Sequence, residues 1–430
     1  MRVAYLAAGA GGMYCGSCLR DNRLAATLLA QGHDVVLVPV YTPLRTDEPD
    51  VSLSRVYYGG INVYLQQKWS LFRHTPWVLD RLLDSRRLLQ GVTRLAAGTS
   101  PQELGALTVS VLKGAEGAQA KELAKLIRGL RKLAPDLINL PNLMFAALAQ
   151  PLKEALGTPV VCTLTGEDIF LDKLPEPFKS QARDLIRLRS RDVDGFIAFT
   201  RYYASHAAEH FGLPAERLHV VPLGVGPDIL AEPSPPPAEP FTIGYLARIC
   251  PDKGLHVLAQ AFRVLRGQGR DCRLAAAGYL PPGERPYLEA IRGRLAEDGL
   301  ADGFECLGEV NLAGKRRFLA LLHVLSVPTV YREAKGLYVL EALANGVPVV
   351  QPRHGSFPEL IEATGGGLLF EPGDPRELAA ALARLMDDPA LREELGNRGR
   401  SAVLQSFTAE MMARKTWAVY QRLASAASRR

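Results

Sequence analysis

Short apolar runs alternate with longer amphipathic stretches from the start of the chain. Val3–Ala8 reads as a buried strand, Asn22–Gln31 as a helix and Val35–Val40 as a second strand. The rhythm resumes with a helix over Leu123–Leu133 and strands over Leu137–Leu140, Val160–Leu164 and Phe196–Phe199. Residues from about Tyr57 to Gln119 break it and read as an elaborated insertion. Alternation of this kind builds a parallel sheet wrapped by helices.

Pro222–Pro240 is dense in proline and glycine, which suits neither a helix nor a central strand, and it reads as an interdomain linker. The alternation then restarts with a strand over Phe241–Ala247, a helix over Leu255–Leu265 and a strand over Arg273–Gly278. Leu255, Leu258, Ala259, Phe262 and Leu265 give that helix one apolar face. Further strand-like runs follow at Phe304–Gly308, Val324–Val327, Val347–Val350 and Leu368–Phe370. The expected plan is two α/β domains, 1–225 and 226–405, with a last segment 406–430. Open parallel sheets bind ligands beyond the carboxyl ends of their strands, so the chemistry is sought in those loops.

Composition narrows the function classes. Apolar residues make up 47% and charged residues 22%, the balance of a globular protein, and 430 residues suit two domains. No apolar run reaches the about 18–20 residues that span a bilayer. The start, MRVAYLAAGAGG, reads as a first buried strand rather than a signal peptide, which places the protein in the cytoplasm. Six scattered cysteines suit a reducing compartment. A net charge of +6 and pI near 9.0 permit contact with phosphates. No lysine-rich tail or aromatic–basic motif calls for nucleic acid.

Three segments carry candidate chemistry. Gly9-Ala10-Gly11-Gly12 follows the first strand, where glycines let backbone N–H groups approach a phosphate or a sugar. A nicotinamide fold is disfavoured, because Tyr14 stands where the third glycine belongs and no ribose-binding acid follows Val40-Tyr41. Cys15 and Cys18 lack the companions of a four-ligand metal site, and local packing explains them. The second segment runs from Arg248 to Gly254, where Arg248 and Lys253 precede a helix and suit a diphosphate. The third runs from Glu333 through Lys335, Gly336 and Leu337 to Glu341 and Gly346. Gly336 is expected to open a helix that Asn345-Gly346 closes. A carboxylate there accepts vicinal hydroxyls such as those of ribose, and the N–H groups of Gly336–Tyr338 suit a phosphate or sugar.

On these residues the chain resembles the retaining family 4 glycosyltransferases of the GT-B fold. Their Glu, seven residues, Glu pattern falls on Glu333 and Glu341, and their diphosphate-binding Arg and Lys fall on Arg248 and Lys253. Their glycine-rich first loop falls on Gly11 and Gly12, and Glu371-Pro-Gly-Asp374 matches a late segment. The resemblance implies two Rossmann-like domains facing a cleft, with the helix Thr408–Leu423 crossing back to the first. It implies a nucleoside-diphosphate sugar as donor and no further cofactor. Glu341 would hold the ribose, Glu333 the transferred sugar, and Arg248 with Lys253 the diphosphate, while the first domain holds a glycan, lipid or polyol acceptor.

The first half departs from the family pattern. Asn139-Leu-Pro-Asn142 stands where histidines are frequent, and Thr165-Gly166-Glu167-Asp168 stands where His-Gly is frequent. Glu167 or Asp168 is a candidate to replace the imidazole, or else to cap the next segment. Lys335 occupies a position that is usually Phe and adds a candidate phosphate contact. Asp192-Val-Asp194 imitates a metal motif but precedes a strand, where acids serve solubility. Leu65–Gln90 mixes Trp, Phe and Leu with five basic residues. It reads either as a helix lying on an anionic bilayer or as one packed on its own domain. A binding protein of this fold without transferase activity is the alternative to an enzyme.

Overall fold

The computed structural model describes residues 1–9, 16–46, 48–73, 75, 101–230, 239–427 and 429. Two compact units emerge: Met1–Pro222 with Met412–Arg430, and Leu223–Met411. Each holds a six-stranded sheet whose pairings are all parallel.

In the first unit β1 (Arg2–Ala7), β2 (Asp34–Pro39), β3 (Leu137–Leu140), β4 (Val160–Thr163), β5 (Gly195–Ala198) and β6 (Leu218–Val220) lie in the order β2-β1-β3-β4-β5-β6. In the second, β7 (Phe241–Leu246), β8 (Cys272–Ala277), β9 (Phe304–Gly308), β10 (Val324–Leu325), β11 (Val349–Pro352) and β12 (Gly367–Phe370) lie in the order β12-β11-β10-β7-β8-β9. Strands β3, β4, β5 and β7 are buried at every residue, as near-continuous apolar runs require when helices cover both faces. The strand order reverses between β1 and β3 and again between β7 and β10. Beyond the carboxyl ends of such a pair the crossovers part and leave a crevice.

The apolar pattern locates eleven of the strands to within a residue or two and misses β6, whose three residues are only partly buried, and the first helix begins earlier than expected, at Gly16 rather than Asn22. Its extra turn is polar yet buried, because its charges pair with one another. Arg20 Nε donates to Asp21 Oδ1 at 2.9 Å, Tyr5 OH donates to the same oxygen at 2.8 Å, and the Arg20 guanidinium lies 4.8 Å from the Phe199 ring centre. A second difference concerns Leu65–Gln90. The helix Gly60–Lys68 ends before Trp69, which is extended, and a 3₁₀ turn spans Ser70–Arg73. Arg73 Nε donates to Gln66 O at 2.9 Å and folds the segment back, so no single helix runs through residues 65–73. Residues 74 and 76–90 lie outside the described residues. Among the described residues no helix is long and apolar enough to cross a membrane.

The last helix, Ala409–Ala427, starts on the second unit, where Ala409 N donates to Val225 O at 2.9 Å. Its later turns pack on the first. Trp417 stacks on His33 with ring centres 3.9 Å apart, and Tyr420 OH donates to Asn139 Oδ1 at 3.1 Å. Asn139 Nδ2 in turn donates to Thr163 Oγ1 at 3.0 Å, so a buried polar chain ties the helix to β3 and β4. Replacing Tyr420 by Phe removes one donor from this chain and is expected to lower stability by about 1–2 kcal/mol. Urea unfolding measures it; an unchanged midpoint would mean that the contact contributes nothing.

Candidate functional site

Arg248 and Lys253 lie on the loop that leaves β7, and Glu333 lies on the loop that leaves β10, so the strand reversal of the second sheet brings them to one place. Glu333 is 4% exposed. Its Oε2 accepts from Lys253 Nζ at 2.6 Å, from Tyr331 OH at 3.0 Å and from Tyr338 OH at 3.2 Å. Its Oε1 accepts from Lys335 N at 3.2 Å. Burial pushes this carboxyl up, but the charge and hydrogen bond of Lys253, the charge of Lys335 and the Tyr331 hydroxyl outweigh it and hold the pKa at about 2. The Lys253 ammonium also lies over the Tyr331 and Tyr338 rings, 5.0 and 5.2 Å from their centres.

The main chain of Glu333 is fixed as firmly as its side chain. Ser356 N donates to Glu333 O at 2.8 Å from the loop after β11. Gly355 makes that approach feasible: its φ is 62°, and a Cβ there would stand 2.5 Å from Glu333 N. Gly336, with φ of 69°, opens the helix Leu337–Ala344, and Asn345 closes it, as the sequence suggests. Among the described residues, the first-turn amides of Leu337 and Tyr338 have no acceptor, the ordinary state of a helix N-terminus that can receive an anion. At the helix Leu255–Gly267 one such amide is already occupied, because His256 N donates to Tyr287 OH at 3.0 Å. That hydroxyl also lies 2.9 Å from His256 Nδ1.

Glu341 is 5% exposed and its Oε1 accepts from Lys315 Nζ at 3.0 Å. Arg248 is exposed, and its carbonyl accepts from Tyr245 OH at 2.9 Å. Lys335 is half-buried beside Glu333. Glu333, Lys253 and Lys335 are thus drawn together, while Glu341 keeps a separate partner. Three side chains of this constellation escape the sequence reading: those of Lys315, Tyr331 and Tyr338. Lys315 does leave a signal, since it shares the buried face of its helix with Phe318 and Leu319.

The first unit is engaged differently. Gly11, Gly12 and Cys15 lie outside the described residues. Asn142, mostly buried, caps the 3₁₀ segment Leu143–Leu148 by accepting from Met144 N at 3.1 Å. The Glu167 carboxylate clamps its own loop, accepting from the amides of Thr165, Gly166 and Leu143 at 2.9–3.3 Å, with Tyr203 OH 3.1 Å from its Oε2. Asp168 accepts from Tyr203 OH at 2.7 Å and lies 3.2 Å from His206 Nε2. Burial raises its carboxyl, but the His206 and Tyr203 hydrogen bonds leave it below the usual range. Asp194 holds Lys153 Nζ and Val160 N, each at 2.8 Å, at the start of β4. Asp374 caps the helix Pro375–Asp387. Cys18, Cys162, Cys250, Cys272 and Cys306 are free thiols.

Two family models match in succession: residues 108–229 match Glycosyltransferase Family 4, and residues 228–402 match Glycosyl transferases group 1. An MMP alpha-(1->4)-mannosyltransferase from Mycolicibacterium hassiacum is 31% identical over 234 residues, 54% of this chain and 55% of that protein. The chain therefore spans little more than half the length of this relative. A 2-deoxystreptamine glucosyltransferase from Streptomyces kanamyceticus is 28% identical over 327 residues, 71% of this chain and 82% of that protein. Among solved structures, Anabaena Alr3699/HepE in complex with UDP superposes with a TM-score of 0.69 at 17% identity, covering 98% of this chain and 100% of that one. With its second sheet and much of its first matched in sequence, and its whole length matched in fold, the chain belongs to the family 4 glycosyltransferases and has the GT-B fold.

Proposed function

We propose that the protein moves a hexose from a nucleoside-diphosphate sugar to an acceptor hydroxyl with retention of anomeric configuration. The observation that carries this reading is the buried, ionised Glu333 held by Lys253 at the carboxyl ends of β7 and β10. Two relatives support the sugar class, one being a mannosyltransferase and the other a glucosyltransferase, and the HepE structure contains UDP.

In this reading Glu333 Oε1 receives a hydroxyl of the transferred sugar, since that oxygen carries one hydrogen bond where Oε2 carries three. Glu341 receives the ribose. Arg248, Lys253, Lys335 and the amides of Leu337 and Tyr338 receive the diphosphate. Lys253 has three N–H donors, so it can hold Glu333 and a phosphate oxygen together. As the bond from the anomeric carbon to the diphosphate breaks, charge collects on the leaving oxygens, where these fixed donors stabilise it. The acceptor oxygen bonds to the anomeric carbon on the same face, and its proton passes to the departing diphosphate. No protein nucleophile is involved. The acceptor, a glycan, lipid or small polyol, is assigned to the first unit, with Gly11, Gly12, Asn142 and Asp168 as its candidate contacts and Glu167 as the clamp of the loop.

Thermal shifts with UDP, GDP and ADP test this reading. One of them is expected to raise Tm, an effect abolished by Glu341→Ala and reduced by Arg248→Ala. No shift with any nucleotide, or an undiminished shift in Glu341→Ala, would defeat the assignment. The ion pair makes a second prediction. Glu333 titrates lower in the folded protein than in the unfolded chain, so its contribution to stability is present above pH 4.5 and lost as pH falls towards 2. Lys253→Met leaves the carboxylate buried without its cation and should cost about 3 kcal/mol at pH 7. That deficit is expected to shrink as pH falls through 4.5 towards 2. Urea unfolding at pH 7, 4.5 and 3 reads it, and a deficit independent of pH would refute the coupling.

A further inference from the structure

Resting on the reading of Glu341 as the ribose contact, we infer that Lys315 is the positioning residue that aims this carboxylate and so makes the site demand a ribonucleotide. The helix Leu312–Ala320 turns Lys315, Phe318 and Leu319 inward, a spacing at which a leucine would serve the core. On the helix Leu337–Ala344, Glu341 lies in an unbroken buried run from Val339 to Ala344. A cation and an anion therefore occupy two inward-facing positions, with side chains 11% and 6% exposed and Nζ to Oε1 at 3.0 Å.

Stability alone does not explain such a pair. Two well-packed apolar side chains of similar volume hold helices together at least as well as a buried ion pair does. The pair has an asymmetry that stability does not require. Lys315 takes Oε1, whereas Glu341 Oε2 carries no hydrogen bond among the described residues. The carboxylate is thus fixed at one oxygen and open at the other, which is how a single acceptor is presented in a set direction to a donor hydroxyl. The backbone beneath it is held too: Asn345 Nδ2 donates to Glu341 O at 2.8 Å and to Ile229 O at 3.2 Å. Without Lys315 the side chain would swing, and the hydroxyl contact would weaken even though Glu341 itself remained.

The test compares the binding of the nucleoside diphosphate that stabilises the protein with its 2′-deoxy and 3′-deoxy forms, by titration calorimetry. The wild type should favour the ribo form over at least one deoxy form by about tenfold or more, the worth of a hydrogen bond to a charged acceptor. Lys315→Met should bring that ratio to about threefold or less while deoxy binding changes little, and Lys315→Arg should restore most of the preference. The ratio is the readout because a general loosening of the fold weakens both ligands alike. Should Lys315→Met fail to fold, Lys315→Gln carries the same comparison. A folded Lys315→Met or Lys315→Gln protein that keeps the full ribose preference overturns the inference and leaves the donor reading intact. A wild type that binds no nucleoside diphosphate, or binds ribo and deoxy forms equally, overturns the ribose reading of Glu341 and this inference with it.

Discussion

A carboxylate taken out of water must be answered by charge and hydrogen bonds on the spot, and the second unit is organised around that demand at Glu333. Four segments converge on it, two of them distant in sequence. The loop after β7 supplies Lys253, the loop after β10 supplies Tyr331 and the Lys335 amide, the next helix supplies Tyr338, and the loop after β11 secures the main chain through Ser356. Each contact restricts a different loop at the carboxyl edge of the sheet. The geometry of the edge is therefore set by one ion pair rather than by each loop independently. Gly355 is part of the same constraint, since no side chain fits where its Cα meets the Glu333 backbone.

The first unit solves the equivalent problem in another way. Its buried acids are matched by groups of their own chain: Asp21 by Arg20 and Tyr5, Glu167 by three amides and Tyr203, Asp168 by Tyr203 and His206. These pairings build loops and seat helices. Glu167 has its oxygens filled from within, whereas Glu333 and Glu341 each keep one lightly used oxygen. That contrast in acceptor occupancy separates a carboxylate that shapes a loop from one that is offered to a ligand.

Much of the architecture is legible in the sequence, because buried parallel strands are near-continuous apolar runs and such runs cannot be disguised. β3 and β9 are read to the residue, and the helix closed by Asn345-Gly346 is read from its caps. What escapes is buried polarity. The N-terminal part of the helix Gly16–Ala30 carries Arg20 and Asp21, and a polar run looks like a loop until the partners of its charges are known. Lys315 escapes for the same reason. A lysine on an apolar stripe looks solvated until Glu341, 26 residues further on, is found against it. Trp69 defeats periodicity in the opposite sense, since an amphipathic pattern continues through a point where the backbone is extended.

The charges of the second unit also bear on what the site can take. Glu333 and Glu341 are each balanced by a lysine, Lys253 and Lys315, and these four sum to nothing. Beyond that balance the same loops carry Arg248, Arg332 and Lys335 against Asp252, a formal excess of two positive charges, together with the positive end of the helix that Gly336 opens. The diphosphate of a nucleotide sugar carries two negative charges. With Glu333 and Glu341 taken as the proposed sugar and ribose contacts, an edge neutral over those acids and formally positive beside them suits that distribution without rearranging either ion pair. A neutral sugar alone adds no negative charge to this edge, so under the proposed reading the charge pattern favours the whole nucleotide over the free sugar.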